Sequence, residues 1–274
     1  MRLGVSVQRA FAYVVCLIMT LSAATARADE IQLYAAGSLR GALTETAGAF
    51  EAESGNRMTT KFGPSGALKD EIAKGARADV FASANMEHPA ALRDAHLSGP
   101  VVLFARNRLC ALAKPGLVVD SASLLARLLD PAVRLGTSTP KSDPSGDYAW
   151  EVFAKADAVK PGARAVLEAK AQKLTGAPDS AAPPPGQSVY GWHVAQGHAD
   201  IFLAYCTAAA EAKQQHPDQQ IVQLPPELAV GADYGLTVMN GAPQAAARFA
   251  QFVLSPAGQR ILTSFGFAPG GPNP

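Results

Sequence analysis

Residues 31–50 read IQLYAAGSLRGALTETAGAF, and the two halves of this stretch have different periods. Ile31–Ala35 is a short apolar run with the length of a strand. Leu39, Leu43, Ala47 and Phe50 then recur at helical spacing, and Gly55 follows as a stop. The same alternation continues outward. Arg57–Phe62 reads as a second strand. Ser65 precedes a short helix that carries Leu68 and Ile72 on one face and closes at Gly75. Val80–Ser83 is a third strand and Met86–Ala95 a third helix. Strand–helix alternation of this kind predicts an α/β fold, a mostly parallel sheet flanked by helices.

A second block begins at Leu109–Ala113, with further elements expected at Ser121–Leu129, Arg134–Gly136 and Asp147–Ala156. Residues 176–187, GAPDSAAPPPGQ, hold too few large apolar side chains to pack and read as a surface loop. Val189–Gln196 is helical, and Ile201–Tyr205 and Tyr234–Met239 are strands. Two helices close the chain, the last opening at Ser255-Pro256.

Composition removes several classes of function. The 274 residues carry 24 Lys and Arg against 23 Asp and Glu, without the basic clustering that a phosphate-backbone binder needs. Aromatic residues make up 7 % and are not interleaved with basic runs, which argues against stacking on single-stranded nucleic acid. Three cysteines in so long a chain do not make a disulfide scaffold.

The start of the chain reads as a secretory leader. Arg2 and Arg9 precede the apolar run Ala10–Leu21, and Ala26-Arg27-Ala28 is an A-x-A site before Asp29. The run is short of the ~20 residues that span a membrane, and Cys16 lacks the flanking residues of a lipidated cysteine. Cleavage after Ala28 is expected. Taking Arg2, Arg9 and Arg27 from the 24 basic residues leaves 21 against 23 acidic ones, a mildly acidic exported protein that keeps Cys110 and Cys206.

Three turns share one design, a small polar residue between a strand and a helix. They are Ala36-Gly37-Ser38-Leu39, Gly63-Pro64-Ser65-Gly66 and Asp143-Pro144-Ser145-Gly146-Asp147. A serine there offers a hydroxyl beside backbone N–H groups that lack intrahelical partners, at the positive end of the helix dipole. Such sites bind anions without Lys or Arg, and in a parallel sheet they converge beyond the carboxyl ends of the strands. The alternative for each serine is an ordinary N-cap, contributing ~1 kcal/mol to stability.

Catalytic motifs are few. Gly63-Pro64-Ser65-Gly66-Ala67 lacks the second glycine position of a nucleophile elbow. Neither glycine-rich nucleotide fingerprint occurs, and His193 and His198 are five residues apart, not four. No catalytic residue, cofactor or resident metal is called for. An exported hydrolase using Ser65 or Ser145 would require a histidine within ~2.6–3.2 Å of the serine.

Leu33–Leu39, Phe62-Gly63-Pro64-Ser65-Gly66 and Gly75-Ala76-Arg77-Ala78-Asp79-Val80-Phe81-Ala82-Ser83-Ala84 resemble the periplasmic molybdate-binding proteins of ABC transporters. The closing Ser255–Gln259 and Phe265-Gly266-Phe267 extend the similarity over nearly the whole exported chain. The resemblance implies a two-lobed type II periplasmic binding protein fold, with the ligand in the interlobe cleft. Residues 29–107 would form the first lobe, 108–206 the second, and 207–274 the return to the first. It also implies a monomer that captures molybdate or tungstate and delivers it to an inner-membrane permease.

Carried over position by position, Ser38 and Ser65 donate from the first lobe. Ser145 falls where the family offers a backbone amide, and Tyr205 matches its tyrosine donor. A fifth donor, a backbone amide at a helix start, comes from Gln187 or Ser188. Asp143 departs from the usual turn and is similar to tungstate/molybdate binders that add a carboxylate ligand; as an alternative, it is a solvent-facing turn residue, which is the expectation adopted. The same fold with another oxyanion or a small organic acid is the remaining alternative, and an organic acid would need an Arg fork, for which no Arg falls at a matched position. The implied fold runs the segments of Cys110 and Cys206 side by side. They either pair or remain separate buried thiols, and the second is expected because adjacent strands often miss disulfide geometry.

Overall fold

A computed structural model describes residues 29–270; the leader expected over residues 1–28 lies outside the described residues. Strand β1 (Glu30–Ala36) buries Ile31, Leu33 and Ala35 completely, which is why it reads as an apolar run. Through Gly37–Leu39 it enters helix α1 (Arg40–Ser54), which buries Ala42, Leu43, Ala47 and Phe50 and stops at left-handed Gly55. Strands β2 (Arg57–Gly63) and β3 (Val80–Ser83) flank β1 in parallel, joined by helix α2 (Ser65–Ala73). Helix α3 (Glu87–Asp94) follows β3.

Strand β4 (Val102–Ala113) then departs from the βα rhythm. Its first half pairs antiparallel with β9 (Gly231–Val238), which in turn pairs antiparallel with β3. Its second half pairs antiparallel with β7 (Ile201–Tyr205) on one side and β8 (Gln220–Gln223) on the other. Beyond β7 run β5 (Leu135–Ser138) and β6 (Gln172–Thr175), both in parallel pairing. The strand order is therefore β2-β1-β3-β9-β4-β7-β5-β6, with β8 and β10 (Ala268–Pro269) pairing with β4 off this path. Each half is a parallel sheet at its outer edge, and β4 joins the halves through antiparallel pairings. Strand β8 pairs with Cys110–Ala113, so by strand pairing the chain is still in the second half beyond residue 207, where the return was expected.

The helices of the second half complete its core. Helix α4 is Leu124–Leu129, α5 is Pro144–Val159, α6 is Ala163–Lys170, α7 is Val189–Ala195 and α8 is Cys206–Gln215. The chain ends on α9 (Gln244–Leu254) and α10 (Pro256–Ser264), where Ser255 caps α10 by accepting the Gly258 N–H at 3.3 Å.

Cys110 and Cys206 form a disulfide, with Cα atoms 4.9 Å apart, inside the usual range of ~4.4–6.8 Å. The expectation of two separate thiols is corrected, and the reason is local. Leu109 is in register with Tyr205, and the chain leaves β7 there, making Cys206 the first residue of α8. Cys206 is thus free of the pleat that restricts cross-strand pairs.

Two histidines make the fold sensitive to acid. His193 is 2 % exposed, with Nδ1 3.0 Å from His198 Nδ1 and Nε2 lacking a hydrogen-bond partner among the described residues. Burial, and then the His198 charge, push its pKa down to about 4. Burial, and then Lys69, push that of His88 down to about 4 as well. The unfolded chain, with histidines near ~6.5, binds more protons between pH 4 and 6.5, so stability falls as pH falls through that window. Melting temperature is expected to drop from pH 6.5 to pH 4, and His193→Gln is expected to flatten that slope. Calorimetry across the window checks it; parallel profiles for the two proteins would remove His193 as a cause.

Candidate functional site

A cleft of about 720 Å³ opens where the first and second halves face each other. Its walls include Ser38 and Ser65 from the first half, and Asp143, Gln187, Ser188 and Tyr205 from the second. The expected residues lie around one cleft, but the Gln187 and Ser188 amides expected to donate are taken, by the Pro184 carbonyl at 3.2 Å and Gln215 Oε1 at 2.7 Å. Ser145 lies behind the wall, fully buried, its hydroxyl without a hydrogen-bond partner among the described residues.

None of the three turn serines is an N-cap. Ser38 sits in the short 3-10 turn, and the α1 cap makes no side-chain bond. Ser65 is the first residue of α2, after Pro64, not the residue before the helix. Helix α5 is capped by Asp143, whose carboxylate accepts the Ser145 N–H at 3.1 Å. The amide expected to face a ligand at Ser145 is therefore taken.

The serines that do line the cleft share a hydrogen-bonding logic. Ser65 Oγ accepts the Ala84 N–H at 3.1 Å. Ser188 Oγ accepts the Gly191 N–H at 3.4 Å, while the Ser188 N–H goes to Gln215 Oε1 at 2.7 Å. Ser38 Oγ lies 3.0 Å from the Tyr234 hydroxyl, which itself accepts from Asn107 Nδ2 at 3.3 Å. The Ser38–Tyr234 hydrogen bond can run in either direction, since both groups are hydroxyls. Ser65 and Ser188 thus each accept a hydrogen and keep the hydroxyl proton for the cleft. Tyr234 and Asn107 were not anticipated; a fully buried tyrosine in a strand carries the same sequence signal as any core aromatic.

Tyr205 donates to the Ala84 carbonyl at a long 3.5 Å, which leaves it open to a better acceptor. Burial raises the pKa of Tyr205, Tyr190 and Tyr234 above the ordinary tyrosine value, so all three stay protonated. Asp143 is half-buried on the cleft wall, not the solvent-facing turn residue expected. Burial raises its pKa as well, against the lowering effect of the Ser145 N–H.

Two features of the cleft escaped the sequence reading. The loop at 176–187 is at the surface as expected, and its Ser180 to Gln187 also form one wall of the cleft. Arg40, in the first turn of α1, also lines the cleft, with its guanidinium 4.8 Å over the Phe62 ring. No histidine lines it: His193 faces His198, Trp192 and Phe202 instead. The geometry a serine–histidine hydrolase would need is not met.

The two halves also touch directly. The Gly66 N–H donates to the Ser142 carbonyl at 2.9 Å, a backbone bond from α2 to the loop ahead of α5. A Cβ at Gly66 would stand 2.8 Å from the Ser142 carbonyl oxygen and nearer still to that of Lys141. Only glycine permits this approach.

Residues 31–268 match the family model described as bacterial extracellular solute-binding protein. The chain is 33 % identical over 240 residues to the uncharacterized protein PM1146 of Pasteurella multocida, covering 87 % of this chain and 98 % of that one. It is 32 % identical over 145 residues to the molybdate-binding protein ModA of Azotobacter vinelandii, 52 % of this chain and 57 % of that one. Its fold is similar to the sulfate-binding protein SubI of Mycobacterium tuberculosis, with a TM-score of 0.72 at 20 % identity, over 89 % of this chain and 88 % of that one. With a two-halved α/β fold and a donor-lined cleft between the halves, the chain belongs to the bacterial extracellular solute-binding protein family.

Proposed function

We propose that this protein captures a tetrahedral oxyanion, molybdate or tungstate among the free anions, and hands it to an inner-membrane ABC permease. It does so as an exported, periplasmic monomer. The observation that carries the reading is the set of serine hydroxyls on the cleft wall, Ser38, Ser65 and Ser188, of which Ser65 and Ser188 already accept a backbone hydrogen and so keep their own to donate. Buried, protonated Tyr205 adds a fourth neutral donor. Hydrogen bonds from neutral groups to an anion are strong, and a site without a fixed cation at its centre does not attract every anion alike. Discrimination then rests on cavity size and on the proton state of Asp143. The likeness to a molybdate-binding protein over half the chain supports the choice of molybdate as first ligand.

Titration calorimetry with molybdate, tungstate, sulfate and phosphate tests the reading. Ser38→Ala and Ser65→Ala are each expected to weaken molybdate binding at least tenfold. Hydrogen bonds to charged groups contribute roughly 1.5–3 kcal/mol each, and tenfold is about 1.4 kcal/mol. Folded variants that bind normally would move the site elsewhere. Sulfate bound as tightly as molybdate would remove the molybdate assignment.

A further inference from the structure

A tetrahedral oxyanion occupies roughly 60–90 Å³, two to three times the ~30 Å³ share of a water molecule. The cleft, at about 720 Å³, is several times larger and falls in the range of pockets that hold small organic molecules, ~300–1,000 Å³. The surplus is not simply an open mouth awaiting closure. The halves are already in backbone contact at Gly66 and Ser142, with no room even for a methyl group between them.

The surplus space also has its own chemistry. Ala181, Ala182 and Pro183–Pro185 line it, and the three prolines have no N–H to offer an anion, so this wall suits carbon. The lining also carries Arg40 from α1 and Glu211 from α8; burial raises the Glu211 pKa, and the nearby Arg40 charge partly offsets the rise. Apolar contacts with a cation and a carboxylate at hand bind the tail of a polar organic molecule, not a bare oxyanion.

We propose that the cargo is a small organic phosphate or phosphonate: its oxyanion head takes the serine hydroxyls, and its organic tail lies under the 181–185 strap between Arg40 and Glu211. This rests on the oxyanion reading above, keeping its donors and replacing molybdate as the preferred cargo. Asp143 fits the same class. A phosphate monoester keeps a proton up to its second pKa of ~6, and it can donate that proton to a carboxylate that molybdate and sulfate, fully ionised, only repel.

Calorimetry at pH 6 and pH 8 with molybdate, inorganic phosphate, glycerol 3-phosphate and 2-aminoethylphosphonate decides the question. At least one of the two organic probes is expected to bind tenfold or more tighter than both inorganic anions. Arg40→Ala with Glu211→Ala is expected to cut that preference at least fivefold. As a second probe of the strap, replacing Pro183–Pro185 by glycines is expected to reduce the same ratio. Tight molybdate binding with no organic preference overturns this proposal and leaves the oxyanion reading standing. No binding of any of the four anions overturns the oxyanion reading itself.

Discussion

Gly66→Ala is expected to lower oxyanion affinity at least a hundredfold without unfolding either half of the molecule. The added methyl group meets only carbonyl groups of Lys141 and Ser142, backbone atoms of the opposite half that cannot swing aside as a side-chain tip does. Within its own helix, alanine is a better residue than glycine by up to ~1 kcal/mol, so the first half gains stability if anything. The cost falls on the closed arrangement alone. Overpacking typically costs ~1–3 kcal/mol, and a hundredfold loss is about 2.7 kcal/mol, at the upper end, as befits rigid backbone. Apparent affinity falls in proportion to the population of the closed state. Calorimetry with the best ligand measures the loss, and small-angle scattering at saturation should find the variant more extended than the parent protein. Unchanged affinity would show that the Gly66–Ser142 contact is no part of the ligand-bound state.

Replacing Cys110 and Cys206 by alanine is expected to cost up to about 4.7 kcal/mol, the chain-entropy figure for a crosslink with a sequence separation of 96. For a chain of this size that is a fall in melting temperature of roughly 10 °C or more. The crosslink joins the middle of β4 to the first residue of α8, one position after Tyr205, so it fixes the end of the strand that presents that hydroxyl. Ligand affinity should therefore weaken less than stability. Thermal melts of the oxidised protein, the reduced protein and the double variant separate the contributions. Equal melting temperatures in all three would remove the bridge as a stabilising element.

What the sequence revealed and what it hid divide along physical lines. Strands β1, β3 and β7 were legible to within a residue at either end, β3 and β7 because they are buried on both faces, β1 because Ile31, Leu33 and Ala35 alternate into the core. Strands β6, QKLT, and β8, QIVQ, were missed because they are half-exposed and carry no such run. Helix α8, CTAAAEAKQQ, buries only alanines and so lacks the large apolar stripe that marks a helix. At the cleft, Ser38, Ser65 and Tyr205 were legible because they stand at strand ends, where ligands gather in this architecture, whereas Ser188 was reached only through the family resemblance. Arg40 was passed over because a cation on the first turn of a helix looks like ordinary surface. Proline-rich composition identified 176–187 as a loop, but composition says nothing of which wall a loop will form.

The pairing of β3 with β9 has a consequence for assembly. Val80 cannot meet Val238 until most of the chain is made, whereas every strand partner of the second half of β4 lies between residues 109 and 223 apart from the crossing itself. Contacts between distant segments form slowly because loop closure precedes any gain from them. The inner stretch therefore has the means to condense first, and oxidation of Cys110 and Cys206 ties its two ends together. Until β9 arrives, β3 keeps an unpaired edge, the kind that recruits strands from other molecules. Aggregation during refolding should then trace to the outer half, and an oxidant supplied early should suppress it by shortening the wait.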